Sequence, residues 1–273
     1  MYLEIAQSAL EVYKERKAIE GIFSSLRFVL KNGRVRVLVF GPGGTGKSTL
    51  GATLGSDDNL ESRQTHEYRE SSNVDEEQFE DVPFGIVKVA PGQGRRRDLY
   101  WPALFRELAA GRVHGVIYVG CWGLHSFELS TIREHKLYED GMTKDKFLAA
   151  HVAAAQQEEL EAMRELAPHI IASKRRSLWM ISLISKQDLW WDSRDQVKLH
   201  YERGAYNEIV ASILQKRGSQ GFQHEYLSAS LGIVNLATPN DGVLVPTASG
   251  YDQRLQAGHL NLLHNRLLGL CGA

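Results

Sequence analysis

Gly41-Pro42-Gly43-Gly44-Thr45-Gly46-Lys47-Ser48 matches the spacing Gly-x4-Gly-Lys-Ser at every position. Glycines at this density let the backbone curl so that successive N–H groups point inward at an anion. The lysine then reaches the terminal phosphates of a nucleotide, and the serine hydroxyl ligates Mg²⁺. Thr49 follows directly. The run Val35–Phe40 reads as a buried strand and Lys47–Leu54 as the start of a helix, so the glycines lie on a strand-to-helix turn. That context separates a phosphate loop from an ordinary glycine turn.

Four later segments resemble, in order, the motifs of Ras-like P-loop GTPases. Thr65, in the polar loop 56–66, resembles the switch threonine that touches Mg²⁺ and the γ-phosphate; Ser62, Ser71 and Ser72 are nearby alternatives. Val89-Ala90-Pro91-Gly92-Gln93 resembles Asp-x-x-Gly-Gln. The resemblance implies that Gly92 senses the γ-phosphate through its N–H and that Gln93 orients the attacking water. Val89 stands where the family has an Asp that holds a Mg²⁺-bound water. Such a change weakens metal binding or slows hydrolysis if the side chain faces the ion, and we expect it to face the ion.

Ser185-Lys186-Gln187-Asp188 resembles the guanine box Asn/Thr/Ser-Lys-x-Asp. It implies that the Asp188 carboxylate accepts two hydrogen bonds from guanine while the Lys186 stem packs along the base. Adenine lacks that donor pair, so the carboxylate discriminates. Ser228-Ala229-Ser230 is similar to Ser-Ala-Lys, with the Ala229 N–H expected on the guanine oxygen.

The resemblance implies a three-layer α/β fold, with a mixed, mostly parallel six-stranded sheet and helices on both faces. It also implies GTP/GDP and Mg²⁺ as ligands, Ser48 and Thr65 as metal ligands, and slow hydrolysis carried by Gln93, Lys47 and Thr65. Nucleotide contacts are expected from Gly43, Gly44, Thr45, Gly46, Lys47, Ser48, Thr49, Gly92, Lys186, Asp188, Ser228 and Ala229. Such a domain is a molecular switch that meets an effector or activating partner through its switch loops. The rival readings are a binding-only scaffold, which Val89 favours, and an ATP-using P-loop enzyme, which Asp188 disfavours.

Strands and helices alternate from residue 34 onward, the pattern of a mostly parallel sheet. Residues 1–33 read as a helical extension, and 34–273 as the GTPase-like domain with insertions near 121–142 and 231–249. Strands are expected near Glu67–Val74, Phe84–Ala90, Gly115–Val119, Leu178–Ile184 and His224–Leu227, with Asp75-Glu76-Glu77 as an acidic turn. Helices are expected at Leu99–Ala109, at Lys144–Leu166 with Pro168 ending it, at 194–217 broken near Gly204, and at Asp252–Leu270. A hairpin is expected around Asn240-Asp241-Gly242.

A formal charge of −1 gives no reason to expect a nucleic-acid partner. Cys121 and Cys271 show no metal-ligand spacing and read as free thiols. No apolar run approaches the roughly 20 residues that span a bilayer, and the first residues lack a signal-peptide core. The expectation is a cytoplasmic protein without a membrane partner. Arg63 and the cluster Arg95-Arg96-Arg97 are candidate arginine fingers against the plainer reading of solvated arginines. Trp190-Trp191 either cover the nucleotide or simply pack. His114, His125, His151 and His200 remain unassigned.

Overall fold

The computed structural model describes residues 35–54, 75–78, 86–92, 94–127 and 129–271. The expected extension 1–33, Arg63, Thr65, the strand Glu67–Val74 and Gln93 lie outside the described residues.

Six strands form the main sheet: β1 (Arg36–Phe40), β2 (Asp75–Gln78), β3 (Ile86–Val89), β4 (Gly115–Gly120), β5 (Leu178–Ile184) and β6 (Phe222–Ser228). Their order is β2-β3-β1-β4-β5-β6. Every pairing is parallel except that of β2 with β3. The acidic stretch expected as a turn is therefore the edge strand β2. An edge tolerates Asp75, Glu76 and Glu77, because charge there blunts pairing with other chains.

The central strands are apolar on both faces, and helices cover each face. Leu38, Phe40, Val116, Tyr118 and Met180 face one layer, built from α2 (Gly94–Ala109), α3 (Lys144–Ile171), α4 (Arg194–Arg203) and α5 (Ala205–Arg217). Val37, Val39, Val87, Ile117, Val119, Ile181 and Leu183 face the other, built from α1 (Lys47–Leu54) and α6 (Gln253–Cys271). Each fully buried Leu, Ile or Phe contributes about 1.5–3 kcal/mol of transfer free energy, so both layers are held mainly by apolar burial.

One boundary differs from expectation. Pro168 does not end α3, which runs on to Ile171. The ring removes one backbone donor, but Ala167 and Ile170 continue the buried stripe of Ala162, Met163 and Leu166. That burial carries the last turn. Segments 121–142 and 231–249 pack against each other. The expected hairpin is the small sheet β7 (Leu236–Thr238) and β8 (Gly242–Val245). Its Asp241 accepts from the Ile132 N–H at 2.7 Å and from the Thr131 hydroxyl at 3.2 Å. Leu244 joins Ile132 and Phe147 in a third apolar cluster. Among the described residues, no helix is long and apolar enough to cross a membrane.

Candidate functional site

The glycine loop 41–46 leaves the end of β1, the end of a parallel sheet at which ligands commonly bind. Gly41, Gly44 and Gly46 take φ values of +145°, +73° and +93°, a region that side-chain-bearing residues rarely adopt. A Cβ on Gly41 would meet the Val119 carbonyl oxygen at 2.2 Å, and one on Gly44 the Ser126 oxygen at 2.2 Å. The sequence needs glycine at both positions for space as well as for φ.

The Thr45 hydroxyl and the Lys47 amine both donate to the Pro42 carbonyl, at 3.1 and 2.5 Å. Gly43 donates its N–H to the Gly92 carbonyl at 3.1 Å. A Cβ on Gly92 would lie 2.4 Å from Lys47 Nζ, so the end of β3 is seated directly on the loop. The Trp101 indole donates to the Pro91 carbonyl at 2.8 Å and fixes that turn.

Val89 corrects an expectation. It is 2% exposed and packs with Val39, Leu50 and Val87 in the apolar layer. Its alternation with Lys88, which pairs with Glu107 at 3.0 Å on the other face, turns it into the core rather than toward a metal's water shell.

Residues 185–188 lie beside the loop. Ser185 donates its hydroxyl to the Thr45 carbonyl at 2.6 Å, tying β5 to the phosphate loop. Lys186 adopts φ +54°, and its amine donates to the Leu124 carbonyl and the Ser126 hydroxyl, both at 2.7 Å. Burial holds that amine's pKa below the usual lysine value.

Asp188 is 1% exposed. One carboxylate oxygen accepts from the Ser230 hydroxyl and the other from the Val234 N–H at 2.9 Å. Burial raises its pKa against the pull of these bonds. Ser228 accepts from Gln187 at 2.9 Å, and the Ala229 N–H bonds the Ile184 carbonyl at 3.3 Å within the sheet. The described structure thus brings Lys47, Ser185, Lys186 and Gly92 around one loop, while Asp188 and Ala229 are engaged by the chain itself.

Sequence reasoning missed the group beneath this site. Cys121, His125 and Glu159 are all buried, with potential ligand atoms within 4.8 Å of one another. Glu159 Oε1 accepts from the N–H groups of Cys121 and Gly123 at 2.9 and 3.1 Å, and His125 Nε2 lies 3.0 Å away. Oε2 accepts from the Tyr201 hydroxyl, which itself accepts from the Trp122 N–H at 2.8 Å.

Burial raises the Glu159 pKa, but the bonds from His125, Tyr201 and Cys121 outweigh it and leave the group below its usual value. Four donors already meet this carboxylate, so it acts as an anchor. It pins the strap 121–126, whose Ser126 N–H then donates to the Gly44 carbonyl at 3.0 Å. A lone Glu in a charged helix gave no signal of this role. Only the helix period, which turns Glu159 inward with Ala155, Ala162 and Met163, hinted at it.

Trp190 and Trp191 pack. The Trp190 indole donates to the Ser185 carbonyl at 2.7 Å, and Trp191 meets the rings of Tyr251 and His259. Arg97 lies over Trp101 and pairs with Glu165 at 2.8 Å.

No protein-family model and no curated protein sequence matches the chain. Among solved structures it is similar to the ADP-ribosylation factor-like, small COPII coat GTPase SAR1 of Encephalitozoon cuniculi in complex with GDP. The TM-score is 0.44 and the identity 14%, over 96% of this chain and 94% of that one. It is also similar to the signal recognition particle receptor SRb-GTP/SRX complex of Chaetomium thermophilum. There the TM-score is 0.39 and the identity 12%, over 74% of this chain and 92% of that one.

Proposed function

We propose that this chain binds GTP and GDP at the phosphate loop and works as a slowly hydrolysing molecular switch. The observation that carries the reading is the loop itself. It has left-handed glycines at 41, 44 and 46 on a strand-to-helix turn, with Lys47 and Gly92 in contact beside them. In this reading the amides of residues 43–49 hold the phosphates, and Lys47 offsets the charge that develops on the transferring oxygens.

Ser48 and Thr65 would hold Mg²⁺, which when bound neutralises charge on the phosphate oxygens. The loop leaves room for a phosphate, because a Cβ on Gly46 would meet nothing closer than Ser185 Oγ at 4.0 Å. Gly92 would report the γ-phosphate and Gln93 would position water, and an effector or activating partner would read the switch loops.

Lys186 and Asp188 would take the base, with Ser228 and Ala229 beside it. Each Asp188 oxygen accepts one bond from the chain, from Ser230 and from Val234, and keeps acceptor capacity for the guanine donors. A second reading, a nucleotide-binding scaffold with little hydrolysis, is favoured by Val89, which sits in the apolar layer where the family places a carboxylate.

The test is nucleotide binding by Lys47→Ala. Binding should fall at least about 100-fold, as expected when a charge-assisted phosphate contact is lost from a site. Wild-type affinity in this variant would contradict the phosphate-loop assignment. Single-turnover hydrolysis then separates switch from scaffold.

A further inference from the structure

Strands β4, β5 and β6 run parallel in register, so the segments that feed them converge on one edge of the sheet, opposite the phosphate loop. Those segments, 110–114, 172–177 and 216–221, contain Arg112, Lys174, Arg175, Arg176, Lys216 and Arg217, and no Asp or Glu. In a chain whose formal charge is −1, this is a local concentration of positive charge. It acts on its neighbours: burial lowers the His114 pKa first, and the positive charges of Arg175 and Arg36 lower it further.

One of these residues is structural. Arg217 donates to the carbonyls of Ile170, Ser173, Arg175 and Gly221 at 2.6–3.1 Å, and so binds two of the segments to the end of α3. Lys174 donates its N–H to Ala109 at 3.0 Å. Gly111, at φ +76°, lies so close that a Cβ would meet the Arg175 backbone nitrogen at 2.8 Å. The frame is therefore fixed by backbone contacts before any ligand arrives.

Within that frame Gly111, Arg175, Arg176, Ser177 and Gln220 line a cleft of about 480 Å³. The Arg175 Nε is buried and has no hydrogen-bond partner. Neither Arg175 nor Arg176 forms an ion pair among the described residues. A buried, unbonded donor is costly, so the Arg175 guanidinium is not fully answered by the chain. A guanidinium also presents its Nη donors as a planar fork that matches two oxygens of one oxyanion.

We propose that this cleft binds a phosphate group, carried by a small phosphorylated molecule or a lipid headgroup, with Arg175 as the fork and Arg176 beside it. Phosphate suits the cleft better than a single carboxylate because adjacent arginines without a neutralising acid favour a multiply charged group. The site is separate from the nucleotide site and does not depend on it.

The experiment is a pyrophosphate titration of the wild-type chain, followed through backbone amide shifts. Saturable shifts at Gly111, Ser177 and Gln220 are expected, distinct from any at residues 41–48. Arg175→Lys keeps the charge but loses the fork, and should weaken those shifts' affinity by about ten-fold. Arg175→Ala should weaken it further. Vesicles of phosphatidylcholine with and without phosphatidylinositol bisphosphate separate the two sources. Co-sedimentation lost in Arg175→Ala marks a headgroup, while pyrophosphate binding without sedimentation marks a soluble phosphate. Absence of saturable shifts at the three amides overturns the proposal. So does an Arg175→Lys chain that binds pyrophosphate as the wild type does, since a diffuse basic patch would behave that way.

Discussion

The two edges of the main sheet handle charge in opposite ways. At the edge that carries the phosphate loop, the buried ionisable groups are answered from within the chain. Glu159 meets four donors, Asp188 meets Ser230 and Val234, and Lys186 meets Leu124 and Ser126. At the opposite edge, Arg217 is answered by carbonyls while Arg175 keeps a buried nitrogen without a partner. At the first edge the ionisable groups are held by the chain itself; at the second one guanidinium is not fully answered.

Removing the anchor at the first edge should have the largest effect. Glu159→Ala leaves His125 and the amides of Cys121 and Gly123 buried without their acceptor. Breaking a buried, hydrogen-bonded charge of this kind costs about 3–5 kcal/mol, readable as a lowered urea midpoint. A loss below about 0.5 kcal/mol, the size typical of surface changes, would mean that the strap holds itself.

At the second edge the contrast lies between neighbours. Arg217→Ala should cost about 1.5–3 kcal/mol, since charged hydrogen bonds to several carbonyls are lost. Arg176→Ala, which is exposed, should stay within about 0.5 kcal/mol. Equal losses for the two would erase the distinction between a cation bound by carbonyls and an exposed one.

Acid should sharpen the picture further. Burial lowers the pKa of His151 and of His224 to about 4, below the ordinary histidine value near 6.5. The unfolded chain therefore binds more protons than the folded one between about pH 6.5 and pH 4, and stability falls as pH falls through that window. Each histidine contributes a slope of about 1.4 kcal/mol per pH unit there. His224→Gln, which can keep a bond to Ser182, should remove about one proton's slope from stability measured between pH 5 and 6. An unchanged slope would show that His224 is not held neutral.

Much of the fold was legible because its signals are local and periodic. The run Val35–Phe40, the glycine loop and the strands Gly115–Gly120 and Leu178–Ile184 announce themselves by apolar runs and turn residues. So do the break at Gly204 and the hairpin at Asn240-Asp241-Gly242. The errors arose where tertiary context outweighs a local rule. Asp75–Gln78 becomes a strand because β3 offers it an edge, and Pro168 is carried through by the buried stripe around it. Val89 was read by its motif position, but strand alternation with Lys88 decides where it points.

At the site, the glycine turn was legible from spacing, since Gly41 and Gly44 take the positive φ values that such a tight loop requires. The Glu159 anchor was not. It joins residues 121–125, 159 and 201, which only the folded chain brings together. The engagement of Asp188 by Val234 has the same long-range origin.

We propose that this chain reads guanine through Asp188 above the glycine loop. The most direct measurement is competition of GTP, XTP and ATP against a labelled guanine nucleotide, for the wild type and for Asp188→Asn. The wild type should prefer GTP over ATP by at least about 100-fold, the scale of a base read by paired buried hydrogen bonds. Asp188→Asn should shift preference toward XTP, because an amide can donate to the carbonyl that xanthine carries in place of the amine. A wild type that binds ATP as tightly as GTP, or a variant that keeps the wild-type preference, would contradict the account.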